Sequence, residues 1–169
     1  MPSQQFNRIL GDIAPSGIRA FFDLVIGRSD VISLGVGEPD FTTPWAIREA
    51  GFDAIEKGRT SYTSNLGLRE LRVAAARYFK QRFQLSYDPD TEILVTVGGS
   101  EAIDLGFRAL LNPGDEVILP EPNYVCYRPL ITLAQGLVKP VDTTGSAFLP
   151  TVGELQKNYG AKTKAVVFS

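Results

Sequence analysis

Histidine is absent from the 169 residues, cysteine, methionine and tryptophan occur once each, and neither sign of charge dominates. Each scarcity excludes something. Without histidine, most catalytic triads and most zinc or iron sites are out of reach. Acid–base work must then come from Lys, carboxylate, Tyr or a cofactor that carries the hard chemistry. The lone Cys126 cannot form an internal disulfide. The 17 Lys and Arg against 19 Asp and Glu leave a formal charge of −2 and no basic cluster of motif length. That gives no electrostatic footprint for nucleic acid and favours a small-molecule partner. No apolar run approaches the ~20 residues of a membrane span. The amino terminus, Met-Pro-Ser-Gln-Gln-Phe-Asn, lacks the basic and apolar regions of a signal peptide, so a cytoplasmic protein is expected.

What remains is an ordinary globular composition, 44% hydrophobic and 10% aromatic. The length suits one domain, or one domain with a smaller piece, and such a chain removes about 68–70% of its unfolded surface from water. The organising stretch is Glu92-Ile-Leu-Val-Thr-Val-Gly-Gly-Ser-Glu-Ala-Ile-Asp-Leu. Ile93, Val95 and Val97 alternate as a strand, Gly98 and Gly99 permit a sharp turn and close approach, and Ser100 stands where a helix N-cap belongs. The helix that follows points unpaired N–H groups and a positive dipole end outward, an anion site without a basic side chain. The same corner also serves in ordinary βα connections.

Upstream, residues 1–14 read as an arm, and a helix is expected over 16–26, capped by Ser16 and ended by Gly27. Residues 31–41 read as a short strand that breaks at Gly35 and Gly37 and turns through Glu38-Pro39-Asp40. Thr43-Pro44 marks a second helix start, with Trp45, Ile47, Phe52 and Ile55 available to a core. A polar loop then holds one aromatic, Tyr62. Leu68, Leu71, Ala75, Tyr78, Phe79 and Arg82 give a helix over 67–83 whose task is packing. After the Gly-Gly-Ser corner a helix runs through Ile103, Phe107 and Leu110. Then follow a strand from 116, a helix over 125–135, a strand over 137–141, a helix over 152–159 and a strand over 165–169. The alternation predicts an α/β architecture, a sheet with helices on its faces and ligands beyond the carboxyl ends of its strands. Gly98, Gly99, Ser100 and Tyr124 all fall at such ends. The plausible domain seam lies between the Gly37 turn and Thr43, giving an amino-terminal piece, 1–42, and a regular part, 43–169.

Five motifs in order carry a resemblance: Ser33-Leu-Gly-Val-Gly-Glu-Pro-Asp-Phe, Tyr62-Thr-Ser-Asn-Leu-Gly-Leu-Arg-Glu-Leu-Arg, Val95-Thr-Val-Gly-Gly-Ser-Glu-Ala, Asn112-Pro-Gly-Asp-Glu-Val and Pro122-Asn-Tyr. From about residue 13 to 169 the chain resembles the amino-terminal part of class I/II aminotransferases, fold-type-I enzymes that use pyridoxal 5′-phosphate (PLP). The resemblance implies an arm and small-domain segment over 1–42 and the first, incomplete part of the PLP-binding large domain over 43–169. It implies that Gly99, Ser100 and Glu101 hold the cofactor phosphate through backbone N–H groups, with the Ser100 hydroxyl added and the Glu101 carboxylate turned away. Tyr124 would stack on the pyridine ring. Tyr62 would reach the phosphate in a partner subunit, which implies a homodimer, and the Gly37 N–H would meet the substrate carboxylate. Asp40 and Glu38 stay turn residues.

The family's Asn-Pro-x-Asn-Pro-Thr-Gly segment, the Asp for the pyridine nitrogen, a Tyr, the Ser-x-x-Lys segment with the Schiff-base lysine, and the late Arg have no match here. Lys57, Lys80, Lys139, Lys157, Lys162 and Lys164 sit in other contexts and read as surface charges. The expectation is therefore a fragment, catalytically inactive alone. The implied activity is amino transfer between an amino acid and a 2-oxo acid, in the aspartate, aromatic or acyl-diaminopimelate branch. Rival readings are a PLP-dependent carbon–sulfur lyase of the same fold, a transcription regulator's aminotransferase-like sensing domain, and a phosphate-binding α/β domain without PLP. Which donor and acceptor are used is not legible.

Overall fold

The computed structural model describes residues 7–15, 17–28, 30–32, 37 and 39–169, with the backbone alone at 19 and 20. Its helices are α1 (Gly17–Asp23), α2 (Trp45–Glu56), α3 (Arg69–Phe83), α4 (Gly99–Leu110), α5 (Tyr127–Leu133) and α6 (Val152–Asn158), and its strands β1 (Glu116–Glu121), β2 (Leu137–Asp142) and β3 (Thr163–Val166). The chain divides into two compact units, residues 1–20 with 97–169, and residues 21–96.

The first unit is built on a three-stranded parallel sheet in the order β2-β1-β3. Parallel neighbours need crossover connections, and α5 and α6 supply them. β1 is central, so Val117, Ile118 and Leu119 are essentially fully buried, the continuous apolar run expected of a strand covered on both faces. The core joins Val117 and Leu119 to Ile131 of α5 and to Phe107 and Leu111 at the end of α4, with Ile103 and Tyr127 against them. Ile103, Phe107 and Leu111 recur every fourth residue and so share one helix face. The expected stripe through Leu110 is shifted by one, for Leu110 is exposed and Leu111 buried. Each fully buried aliphatic side chain here contributes about 1.5–3 kcal/mol. Ahead of α1, a short 3-10 helix, Arg8–Asp12, is capped by the Asn7 side chain and contacts α5, so part of the expected arm is regular structure.

The second unit carries α2 and α3. Both helices form, but their apolar stripes are not buried: Trp45, Ile47, Phe52 and Ile55 on α2, and Leu68, Leu71 and Tyr78 on or beside α3, are all exposed. The aromatic rings Tyr78, Phe79, Phe83 and Tyr87 instead pack against one another, 5.6–6.0 Å between centroids, edge-on except for the tilted Phe79–Phe83 pair. The buried side chain of α3 is Arg72.

Three local expectations are corrected. The stretch 93–97 is not a strand, because its ladder needs a neighbouring strand; among the described residues Val95 N–H finds instead the carbonyl of Leu66 at 3.1 Å. Pro44, not Thr43, is the N-cap of α2, with Trp45 its first residue. The strand expected over 165–169 starts at Thr163 and ends at Val166, where its hydrogen bonding with β1 places it. The Ser16 cap, Gly35 and Glu38 lie outside the described residues. No helix among the described residues is long and apolar enough to cross a membrane.

Candidate functional site

The Gly98 corner is the first part of the site. Gly98 takes φ +86°, a conformation that L side chains rarely adopt, and this residue rather than Ser100 is the N-cap of α4. The helix starts two residues earlier than the hydroxyl suggested because the glycine's positive φ makes the turn. Ser100 is thus the second helical residue. The first hydrogen bond of the helix runs from Ala102 N–H to Gly98 C=O at 3.4 Å, so the N–H groups of Gly99, Ser100 and Glu101 precede it. The Glu101 carboxylate accepts the N–H of Val97, which engages it with the backbone entering the helix. An acidic residue in the first turn also meets the favourable end of the dipole.

The second part hangs from the carboxyl end of β1. Thr143, almost fully buried, donates its hydroxyl and its N–H to Glu121 C=O at 2.8 and 3.0 Å, and Asn123 Nδ2 donates to Pro120 C=O at 2.8 Å. The Glu121–Pro122 peptide bond is cis, and the Glu121 carboxylate meets Arg128 at 2.5 Å. These ties fix the turn that presents Tyr124. Its ring is half exposed and stands edge-on to Tyr127, 5.7 Å between centroids at 84°. Beside Asn123 a cavity of about 420 Å3 opens, lined by Ile13, Pro15 and Ile18 on one side and Val125, Arg128 and Pro129 on the other.

Cys126 joins the two parts. Burial pushes its thiol above the ordinary value, while hydrogen bonding with the Ser100 and Tyr124 side chains pulls it partway back. Ser100 and Tyr124, 24 positions apart in sequence, therefore share one neighbour. The sequence offered no reason to single out Cys126; its proximity depends on how α4 and the turn after β1 fold together.

Tyr62 and Gly37 belong to the second unit. Tyr62 is fully exposed, on a loop whose cavity of about 350 Å3 is also lined by Arg59, Ser61, Thr63, Leu68 and Glu70. Gly37 is exposed, and nothing stands within 4 Å of where a Cβ would sit. No group of three or more Cys, Asp or Glu among the described residues could hold a metal ion.

Comparison with known proteins shows the family. The family described as "Aminotransferase class I and II" matches residues 29–169. The YugH protein of Bacillus subtilis is 51% identical over 92% of this chain and 40% of its own length. The aspartate aminotransferase of Pyrococcus abyssi is 43% identical over 93% of this chain and 41% of its own. Among solved structures, the aspartate aminotransferase from Thermus thermophilus with maleate superposes with a TM-score of 0.88 at 36% identity, covering 96% of this chain and 44% of that one. The chain thus spans about 40% of the length of the curated relatives it matches. Its α/β architecture corresponds to the amino-terminal part of these fold-type-I aminotransferases.

Proposed function

The chain belongs to the class I and II aminotransferases, and on that premise we propose that it supplies the phosphate grip and ring support of a PLP-dependent amino transfer between an amino acid and a 2-oxo acid. Bound PLP supplies an electron-withdrawing ring that allows a proton to leave the α-carbon of an amino acid and its amino group to be exchanged. The residues present fit that group. Three N–H groups precede the first helical hydrogen bond, a hydroxyl stands among them, and Tyr124 offers a half-exposed ring. The Cys126 thiol, held above its ordinary value, stays protonated near neutral pH, so no thiolate opposes a phosphate dianion.

In this reading Gly99, Ser100 and Glu101 donate their N–H groups to the phosphate and Ser100 adds its hydroxyl, while the dipole of α4 favours the negative charge. The Tyr124 ring supports the cofactor's face and limits water's access to it. The Gly37 N–H orients the substrate carboxylate. Tyr62 serves the phosphate of a partner subunit, and the working assembly is a cytoplasmic homodimer. Residues 1–42 are the arm and small-domain segment, and 43–169 begin the cofactor-binding domain. The substrates belong to the aspartate, aromatic or acyl-diaminopimelate class, in keeping with the names of relatives 38–45% identical to this chain. The observation that carries the reading is the Gly98 corner, where a glycine at φ +86° caps α4 and the N–H groups of Gly99, Ser100 and Glu101 precede the first hydrogen bond of the helix.

The test is a chimera in which this chain replaces the segment it matches in the Pyrococcus abyssi aspartate aminotransferase. With PLP, an amino donor and a 2-oxo acid it is expected to form the new amino acid. A folded, PLP-loaded chimera that forms none, or that releases only a lyase's products, would contradict the proposal.

A further inference from the structure

The loop that carries Tyr62 is tied to the stretch 93–96 by one main-chain hydrogen bond and one glycine–valine contact. Val95 N–H donates to Leu66 C=O at 3.1 Å. Gly67, at φ +89°, lies so close to Val95 that a Cβ there would stand 2.6 Å from the Val95 Cβ. Any larger residue would force the two segments apart.

Arg72 closes the contact from below. It is 5% exposed. Its Nε donates to Gly67 C=O at 3.4 Å, its Nη1 donates to Pro89 C=O, and Nη1 lies 3.5 Å from Asp90 Oδ1. Asp90 is itself held by two bonds from Arg69, each 2.9 Å. One planar fork thus serves two carbonyls on different loops and one carboxylate. Lysine carries its donors on a single nitrogen and cannot span both carbonyls, and methionine keeps the stem but donates nothing.

We infer that Arg72 is a positioning residue for phosphate binding: through the Gly67 carbonyl it fixes the loop that carries Tyr62, so that the Tyr62 route to the cofactor phosphate depends on a second side chain. The inference rests on the proposed function, and it predicts a signature that loss of stability does not share. Pyridoxal has the ring of PLP without the phosphate. A defect acting through phosphate contacts must spare pyridoxal, whereas a general loosening weakens both ligands alike.

The experiment measures dissociation constants of PLP and of pyridoxal by equilibrium dialysis, on the chimera and on its Arg72→Lys and Arg72→Met variants, with circular dichroism to establish folding. Arg72→Met is expected to weaken PLP about tenfold, the worth of one charge-assisted hydrogen bond, with pyridoxal changed less than about twofold. Arg72→Lys should fall between. In a Tyr62→Phe background the Arg72→Met penalty on PLP should shrink, because part of it acts through that hydroxyl. Equal losses for the two ligands, or none, overturn the inference; should Arg72→Met not fold, Arg72→Lys decides on the same comparison. An unsubstituted chimera that fails to bind PLP overturns the functional reading and the inference together, whereas PLP binding there with equal losses in the variants overturns the inference alone.

Discussion

In the unit that contains the sheet, the buried hydrophobic side chains run from Phe107 to Val141 and surround β1; in the unit of residues 21–96, the buried side chain among the described residues is the cation Arg72. One unit excludes water from an apolar core. The other is shaped by a guanidinium satisfied by carbonyls, a glycine in contact with a valine, and a cluster of partly exposed rings. The difference assigns the functional parts to different supports. The Gly98 corner and Tyr124 stand on the apolar core, whose side chains have little room to move. Tyr62 stands on a loop whose pose depends on hydrogen bonds, each of which water can replace once opened.

The comparison predicts where each unit breaks. Ile131→Ala removes a fully buried side chain from the core and should lower stability by about 2–5 kcal/mol. Urea denaturation followed by a signal from the sheet unit checks this, and a loss near zero would mean that the core is not the support. Arg72→Met removes the donors to Gly67 and Pro89 and should cost about 1.5–3 kcal/mol, the range for hydrogen bonds to a charged group. Amide exchange at Val95 reads it: that N–H should exchange faster while those of β1 keep their protection. Acceleration everywhere would erase the distinction between the units.

The smallest effect is at Asp90. The bond from Arg69 holds this carboxyl below its ordinary value, and the pair is exposed. A depressed carboxylate contributes stability that is present above the unfolded value, about 3.9, and is lost as pH falls through the folded one. Asp90→Asn should therefore be less stable than the parent at neutral pH and should converge with it below about pH 3.9. The gap should narrow in high salt, as exposed pairs are screened. A gap independent of pH would assign Asp90 a role unrelated to its charge.

The sheet unit was legible from sequence because its signals are local. Val117-Ile-Leu is a short apolar run between turn residues, and Ile103 and Phe107 repeat at helical spacing. The stretch 93–97 looked equally like a strand, yet strands are completed by partners, and its alternation says nothing about where a partner is. Ser100 marked the helix start to within two residues, but a hydroxyl was outcompeted by the backbone freedom of Gly98. Arg72 was not legible at all. A buried arginine is specified by carbonyls elsewhere in the chain, at Gly67 and Pro89, and nothing in the helical pattern separates it from Arg77 or Arg82 on the same helix. Cys126 was hidden for the same reason: its neighbours Ser100 and Tyr124 meet it only through the fold.

The central claim is that the corner at Gly98 holds a cofactor phosphate, with Ser100 adding its hydroxyl to the helix's own N–H groups. Equilibrium dialysis of PLP against the chimera and its Ser100→Ala variant measures this directly. The account predicts that Ser100→Ala weakens PLP by roughly 0.5–1.5 kcal/mol, or somewhat more for a charged acceptor. Unchanged PLP retention in a folded Ser100→Ala chimera would remove that hydroxyl from the site and contradict the claim.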